Sequence, residues 1–158
     1  MASAVASLGG YDHVDAVAVD IPEGTSAPEF AHQVLAATPE WVHRLLDIRD
    51  KITAPFGLHT QTRVAVPDIR IEPGRKLGPI LVRTVSEEEV LGGEDDKHLG
   101  FRASFAVRPT PTGGLEGVFT TVIRYHNQAG HLYFKAIQPL HNLIIPRLVA
   151  GGFTSPSR

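Results

Sequence analysis

Lys97-His98-Leu99-Gly100-Phe101-Arg102-Ala103-Ser104-Phe105-Ala106-Val107 alternates along its length between two kinds of side chain. Leu99, Phe101, Ala103, Phe105 and Val107 fall on one face of an extended chain, and His98, Gly100, Arg102 and Ser104 fall on the other. A period of two sustained this long predicts a strand over residues 97–108 with one face in the core. Pro109-Thr110-Pro111-Thr112-Gly113-Gly114 has turn composition, and residues 115–127 read as a second strand, so the two make a hairpin. Upstream, residues 80–85 and 88–91 read as another hairpin about Ser86-Glu87. Downstream, residues 131–138 are expected to add a strand after a turn at Gln128-Ala129-Gly130. Tandem hairpins predict an antiparallel sheet rather than βαβ units.

Working outward, residues 11–20 carry Val14, Ala16, Val17, Ala18 and Val19 and read as a first strand. Ser26-Ala27-Pro28-Glu29 is a capping box that opens a helix through Phe30, Val34 and Leu35. Thr38-Pro39 opens a second helix, whose stripe of Trp41, Leu45, Ile48 and Ile52 is expected in the core. Residues 58–79 are the least patterned, with short edge strands expected at 63–66 and 69–71. A short last helix spans 140–150 with Leu143, Ile144 and Leu148 on one face, kinked or broken at Pro146. Trp41, Leu45, Ile48 and Leu143 are expected to be buried. The expected fold is α+β, a curved antiparallel sheet with two helices after its first strand and a C-terminal helix. This order is similar to the helix-grip fold of the START and polyketide-cyclase superfamily, in which a sheet wraps the last helix around a cavity. The chain departs from that fold in the short, proline-bearing last helix. Residues 1–10 are expected to be a flexible tail, 11–150 a single domain and 151–158 a second tail.

The 158 residues suit one domain, and a formal net charge of −2 with no basic run gives no footprint for nucleic acid or an anionic membrane. No window is apolar enough to span a bilayer, and the N-terminus lacks the features of a signal peptide. Cysteine is absent, which excludes disulfides and thiolate chemistry and fits a cytoplasmic location. The eight histidines show no helix-ligand spacing, so no metal site is expected.

The polar face of residues 97–108 is the first candidate for chemistry. Asp96, His98 and Arg102 fall in line on it if the strand starts early, and a carboxylate, an imidazole and a guanidinium could bind an anion or move a proton. Periodicity alone favours a solvated outer face instead. Gly93-Glu94-Asp95-Asp96-Lys97-His98-Leu99-Gly100-Phe101-Arg102, then Asn127-Gln128-Ala129-Gly130-His131-Leu132-Tyr133, then Pro139-Leu140-His141, resemble the signature of the bacterial domain of unknown function 2867 family. Residues 39–50, from Pro39-Glu40-Trp41, resemble that family's first motif. The resemblance covers residues 11–150 and implies a helix-grip-like domain with no established reaction. At position 100 the family pattern has an acid between His98 and Arg102, and glycine here opens a gap.

Asp96, His98 and Arg102 share one strand face and fall in the motif that carries the resemblance, so they are the candidate catalytic residues and are expected to border a concave site. Trp41, Phe101, His126, Tyr133 and His141 are the candidate ligand-binding residues. Each has a structural alternative: core packing for Trp41, a bonded histidine in the sheet for His126, a satisfied core phenol for Tyr133 and a helix cap for His141. Three functional readings stand. The first is a cofactor-independent cyclase, dehydratase or isomerase acting on a small, partly hydrophobic ligand. The second is a binding or carrier module without catalysis. The third is a structural domain that self-associates, most simply as a homodimer, because residues 118–123 are apolar on both faces. No cofactor is implied.

Overall fold

In a computed structural model that describes residues 2–42, 44 and 69–153, the elements run α1 (Ala2–Leu8), β1 (His13–Ile21), α2 (Ala27–Ala36), β2 (Lys76–Leu77), β3 (Ile80–Val85), β4 (Glu89–Gly92), β5 (Leu99–Pro109), β6 (Leu115–Tyr125) and α3 (Gln128–Gly151). The strands form one antiparallel six-stranded sheet in the order β1-β6-β5-β4-β3-β2. The fold is the expected α+β arrangement, a curved antiparallel sheet with a C-terminal helix. The hairpin read from the long alternation is its centre: Phe105 pairs with Phe119, and β1 returns to the free side of β6 with His13 opposite Ile123.

Two helices cover one face. α2 lies over β4 and β5, α3 lies over β1 and β6, and the two touch each other. Phe30 and Val34 of α2, Phe105 and Phe119 of the sheet, and Val149 of α3 make the main core. The Phe30 ring is within contact range of the place a side chain on Gly117 would fill, which is why that position is glycine. The capping box forms as expected. Ser26 N–H donates to Glu29 Oε2 at 2.9 Å and Glu29 N–H to Ser26 Oγ at 3.4 Å. The backbone hydrogen bond from Ser26 holds the Glu29 carboxyl below its ordinary value.

Four expectations are corrected. Residues 131–138 are helical, so α3 is one helix of 24 residues that contains both Pro139 and Pro146. The prolines are tolerated because they lie on its exposed side. So do Lys135 and Asn142, the residues four before each, whose carbonyls lose their usual helical donor to the prolines. Leu143 is 43% exposed and Trp41 38% exposed, and Ile144 rather than Leu143 points inward. Residues 69–71 form no strand, and the short edge strand is β2 instead. The expected tail at residues 1–10 contains α1, with Ala4 and Leu8 buried. The expected strand at 63–66, the core positions Leu45 and Ile48, and residues 154–158 lie outside the described residues.

α1 also removes the motive for a dimer through residues 118–123. On the outer face of the sheet Val122 is fully buried with Ala4, Leu8 and Leu91, so that face is covered from within the chain. No helix among the described residues is long and apolar enough to cross a membrane.

Candidate functional site

The polar side of β5 faces α1. Arg102 is 3% exposed. Its Nη2 donates to Asp95 Oδ2 at 2.8 Å, its Nε to Ser7 Oγ at 2.8 Å and its Nη1 to the Phe101 carbonyl at 2.8 Å. Asp95 is shared with Arg83, whose Nη2 lies 3.0 Å from the same oxygen. Burial raises the Asp95 carboxyl, but Arg102 and then Arg83 outweigh it and hold it below the ordinary value. Gly100 explains how the pair forms: the Asp95 carboxylate and the Leu8 side chain occupy the space a side chain at 100 would need. The gap expected at Gly100 is therefore filled, and Arg102 ties α1 to the sheet.

Asp96 and His98 precede the strand, so they do not extend its polar row. Asp96 Oδ1 accepts the backbone N–H groups of His98 and Leu99. His98 Nδ1 is 3.4 Å from Asn127 Oδ1, and the Asn127 amide donates to the Lys97 carbonyl at 2.9 Å. His126 Nδ1 lies 2.8 Å from the Asp96 carbonyl. These bonds fasten the start of β5 to the start of α3, where Asn127 caps Gly130 N–H at 3.0 Å. Asp96, His98 and Arg102 thus fall in two separate structural networks. An open cleft of about 530 Å³ beside this junction is lined by Asp12, Tyr125, His126, Asn127, Gln128 and His131.

A different constellation forms on the helix-bearing face. Residues His13, Asp15, Val17, Val19 and Ile21 share that face of β1 by strand alternation. Asp15 Oδ2 lies 2.8 Å from His13 Nε2 and 3.0 Å from His141 Nε2, so one carboxylate joins two imidazoles from the sheet edge and from α3. Phe134, two helical turns before His141, packs its ring 4.8 Å from His13 and 5.9 Å from His141. Phe101, Tyr125, Tyr133 and Ile137 gather around Phe134, Leu99 and Ile123 as the adjoining apolar wall. Asp15 remains 27% exposed and His141 16%, so the cluster is neither solvated surface nor closed core.

Burial raises the Asp15 carboxyl, and the hydrogen bonds and charges of His141 and then His13 lower it further than burial lifts it. The group is therefore ionised at neutral pH. An ionised carboxylate only accepts, so both Nε2 atoms donate to it. Each ring then has Nδ1 as the nitrogen not bonded to Asp15. A ring that is neutral can take a proton there, and one that is cationic can give one, with Asp15 fixing the orientation of both.

Of the expected ligand residues, His141, Phe101 and Tyr133 come to this region, whereas His126 belongs to the β5–α3 junction and Trp41 is exposed. Asp15 and His13 were missed by the sequence reading. The available signal was their place in the period-two row ending at Ile21. Among the described residues no three His, Cys, Asp or Glu side chains are arranged to hold a metal ion.

No curated protein matches the chain. A solved structure, that of a protein of unknown function, SA2116, from Staphylococcus aureus, is similar with a TM-score of 0.41 and 12% identity, over 90% of this chain and 95% of that one. The family described as "Protein of unknown function (DUF2867)" matches residues 7–148, and it is to this family that the chain belongs.

Proposed function

We propose that the chain binds a small, largely apolar molecule against the Phe134 end of the helix-bearing face and moves protons on it with His13 and His141. The chemistry that suits is a cofactor-independent isomerisation, dehydration or cyclisation, each of which needs a proton taken at one atom and delivered at another. The observation that carries this reading is the single Asp15 carboxylate bonded to both imidazoles, half-buried beside an apolar wall. A surface ion pair needs no second histidine, and a packing cluster needs no carboxylate. Asp96, His98 and Arg102 are assigned to holding the fold together, while Phe101 and Tyr133 stay as wall residues. The absence of cysteine supports a cytoplasmic setting for this activity.

The test uses β-tetralone, an apolar bicyclic ketone with acidic protons beside its carbonyl. Exchange of those protons in deuterium oxide is followed by NMR. Wild type should accelerate exchange saturably over buffer, and Asp15→Asn or His141→Gln should cut the rate by roughly a hundredfold, the scale of a lost general base. Saturable binding without accelerated exchange would leave a carrier and remove the catalytic part. No saturable binding would remove the whole reading.

A further inference from the structure

We propose that Thr121 is the anchor for a carbonyl oxygen, and that the molecule this face accepts is a flat, apolar ketone, enone or related carbonyl compound. The proposal rests on the acid–base reading above and adds its substrate class and a specificity-determining residue. Thr121 Oγ1 is buried and has no hydrogen-bond partner, the one such side-chain atom among the described residues. Buried hydroxyls are paired as a rule, and a valine of the same shape would spare the fold an unmet donor on a strand that favours β-branched residues. The partner assigned to it is a bound molecule.

The strand register says where that partner lies. Thr121 is directly opposite Asp15 on β1 and Ala103 on β5, and Ala103 is opposite Gly92 on β4. Directly opposed residues share a sheet face. Asp15, Thr121, Ala103 and Gly92 therefore form one row of short side chains across four strands, closed at its far end where Ile80 fills the space over Gly92. Two residues along the strands in one direction stand Phe105 and Phe119, part of the main core. Two residues the other way stand Phe101 and Ile123, part of the Phe134 cluster. The row lies between two apolar clusters, with the Asp15 and histidine cluster at its β1 end.

A carbonyl that displaces the groups covering Thr121 would lay a flat body along this row and bring the adjacent carbon toward the imidazoles. A neutral imidazole Nδ1 then takes the proton from that carbon, the C–H electron pair becomes the new C=C bond, and the carbonyl π pair settles on oxygen, where the Thr121 hydroxyl donates to it. Return of a proton from imidazolium to that carbon, or to the γ carbon of the dienolate an enone would form, restores a carbonyl compound, so no other reactant is consumed.

The test compares β-tetralone with tetralin, the same skeleton without oxygen, by competitive ligand-observed NMR on wild type, Thr121→Val and Thr121→Ser. The ketone-over-tetralin affinity ratio should fall about five- to tenfold in the valine variant, the scale of one hydrogen bond, and persist in the serine variant. The valine variant should melt at or above the wild-type temperature. A valine variant that keeps the ratio, or that melts several degrees lower because the hydroxyl serves the fold, overturns the inference while leaving the acid–base reading intact. Failure of both ligands to bind wild type overturns the acid–base reading and this inference with it.

Discussion

Asp95 supplies at the start of β5 the negative charge that a side chain at position 100 would otherwise place between Arg102 and the helix α1. Because its carboxylate lies over Gly100, the two positions compete for one volume and one partner. Asp95→Ala leaves the buried Arg102 guanidinium without its carboxylate and should cost about 2 kcal/mol, below the full cost of breaking a buried pair because Asp95 is partly exposed. Gly100→Asp alone should also destabilise, by crowding Asp95 and Leu8. The double variant Gly100→Asp/Asp95→Ala should recover at least half of the Asp95→Ala loss, read from urea midpoints. Simple additivity of the two losses would show that the acids are not interchangeable.

Asp15 makes a second residue-scale prediction through its titration. Its folded carboxyl lies below the ordinary value, so on acidification the unfolded chain takes up the proton first. The stability this contributes is complete above the unfolded value of about 4 and disappears as pH falls through the folded one. Asp15→Asn should cost about 1 kcal/mol at neutral pH, the lower range for a charged hydrogen bond because the site is partly exposed. That gap to wild type should narrow as pH falls below the unfolded value and close once pH has passed below the folded one. A gap constant with pH would mean that the histidines do not act on the carboxylate.

At the scale of elements, α1 and α3 carry the consequences. α1 has only seven residues, too short to be stable alone, and it is held by contacts rather than by propensity. Arg102 reaches Ser7, and Arg124 Nη1 donates to the Leu8 carbonyl at 2.7 Å. Deleting residues 2–8 should therefore cost about 3 kcal/mol, from two buried apolar side chains and three charge-assisted bonds, the third from Ser3 Oγ to the Glu89 carboxylate. It should also expose Leu91 and Val122, measured as a lower melting temperature with self-association in light scattering. A truncated chain that melts like wild type and self-associates no more than wild type does would contradict this. In α3, Pro146→Ala restores a helix donor at an exposed position and should raise stability by about 1 kcal/mol, a part of the intrinsic helix penalty of proline. An unchanged or lower urea midpoint would show that the helix is adapted to the proline.

The same two elements mark where the sequence was legible and where it was not. The hairpins and the capping box at Ser26 were readable because each rests on local chemistry: a period of two, turn residues, one side chain bonding one backbone group. The last helix was misread because Leu132, Phe134 and Ala136 imitate a strand and Pro139 imitates a boundary. The competing helical set of Gly130, Phe134, Ile137, His141 and Ile144 spans that proline. α1 was read as a tail because its stabilising partners, Arg102 and Arg124, lie about a hundred residues away. The candidate site was hidden for the same reason: Asp15 and His141 are separated by 126 positions, and only the β1–β6 pairing and the course of α3 bring them together.

For the whole molecule, the two faces of one sheet divide the labour. The outer face is closed by α1 over Arg102, Val122 and Leu91, with its charges satisfied inside the chain. The helix-bearing face keeps a half-buried carboxylate, two oriented imidazoles and an unpaired hydroxyl beside apolar walls. The central claim, that this second face is where a ligand meets the histidines, is tested most directly by long-range ¹H–¹⁵N spectra of the imidazoles during titration with β-tetralone. Free protein should show His13 and His141 protonated at Nε2. Added ketone should shift the Nδ1 signals of those two rings saturably, leaving His98, His126 and His131 in place. Shifts confined to His126 and His131 would put the ligand in the cleft at the start of α3, and that result, or no saturable shift in any ring, would contradict the account.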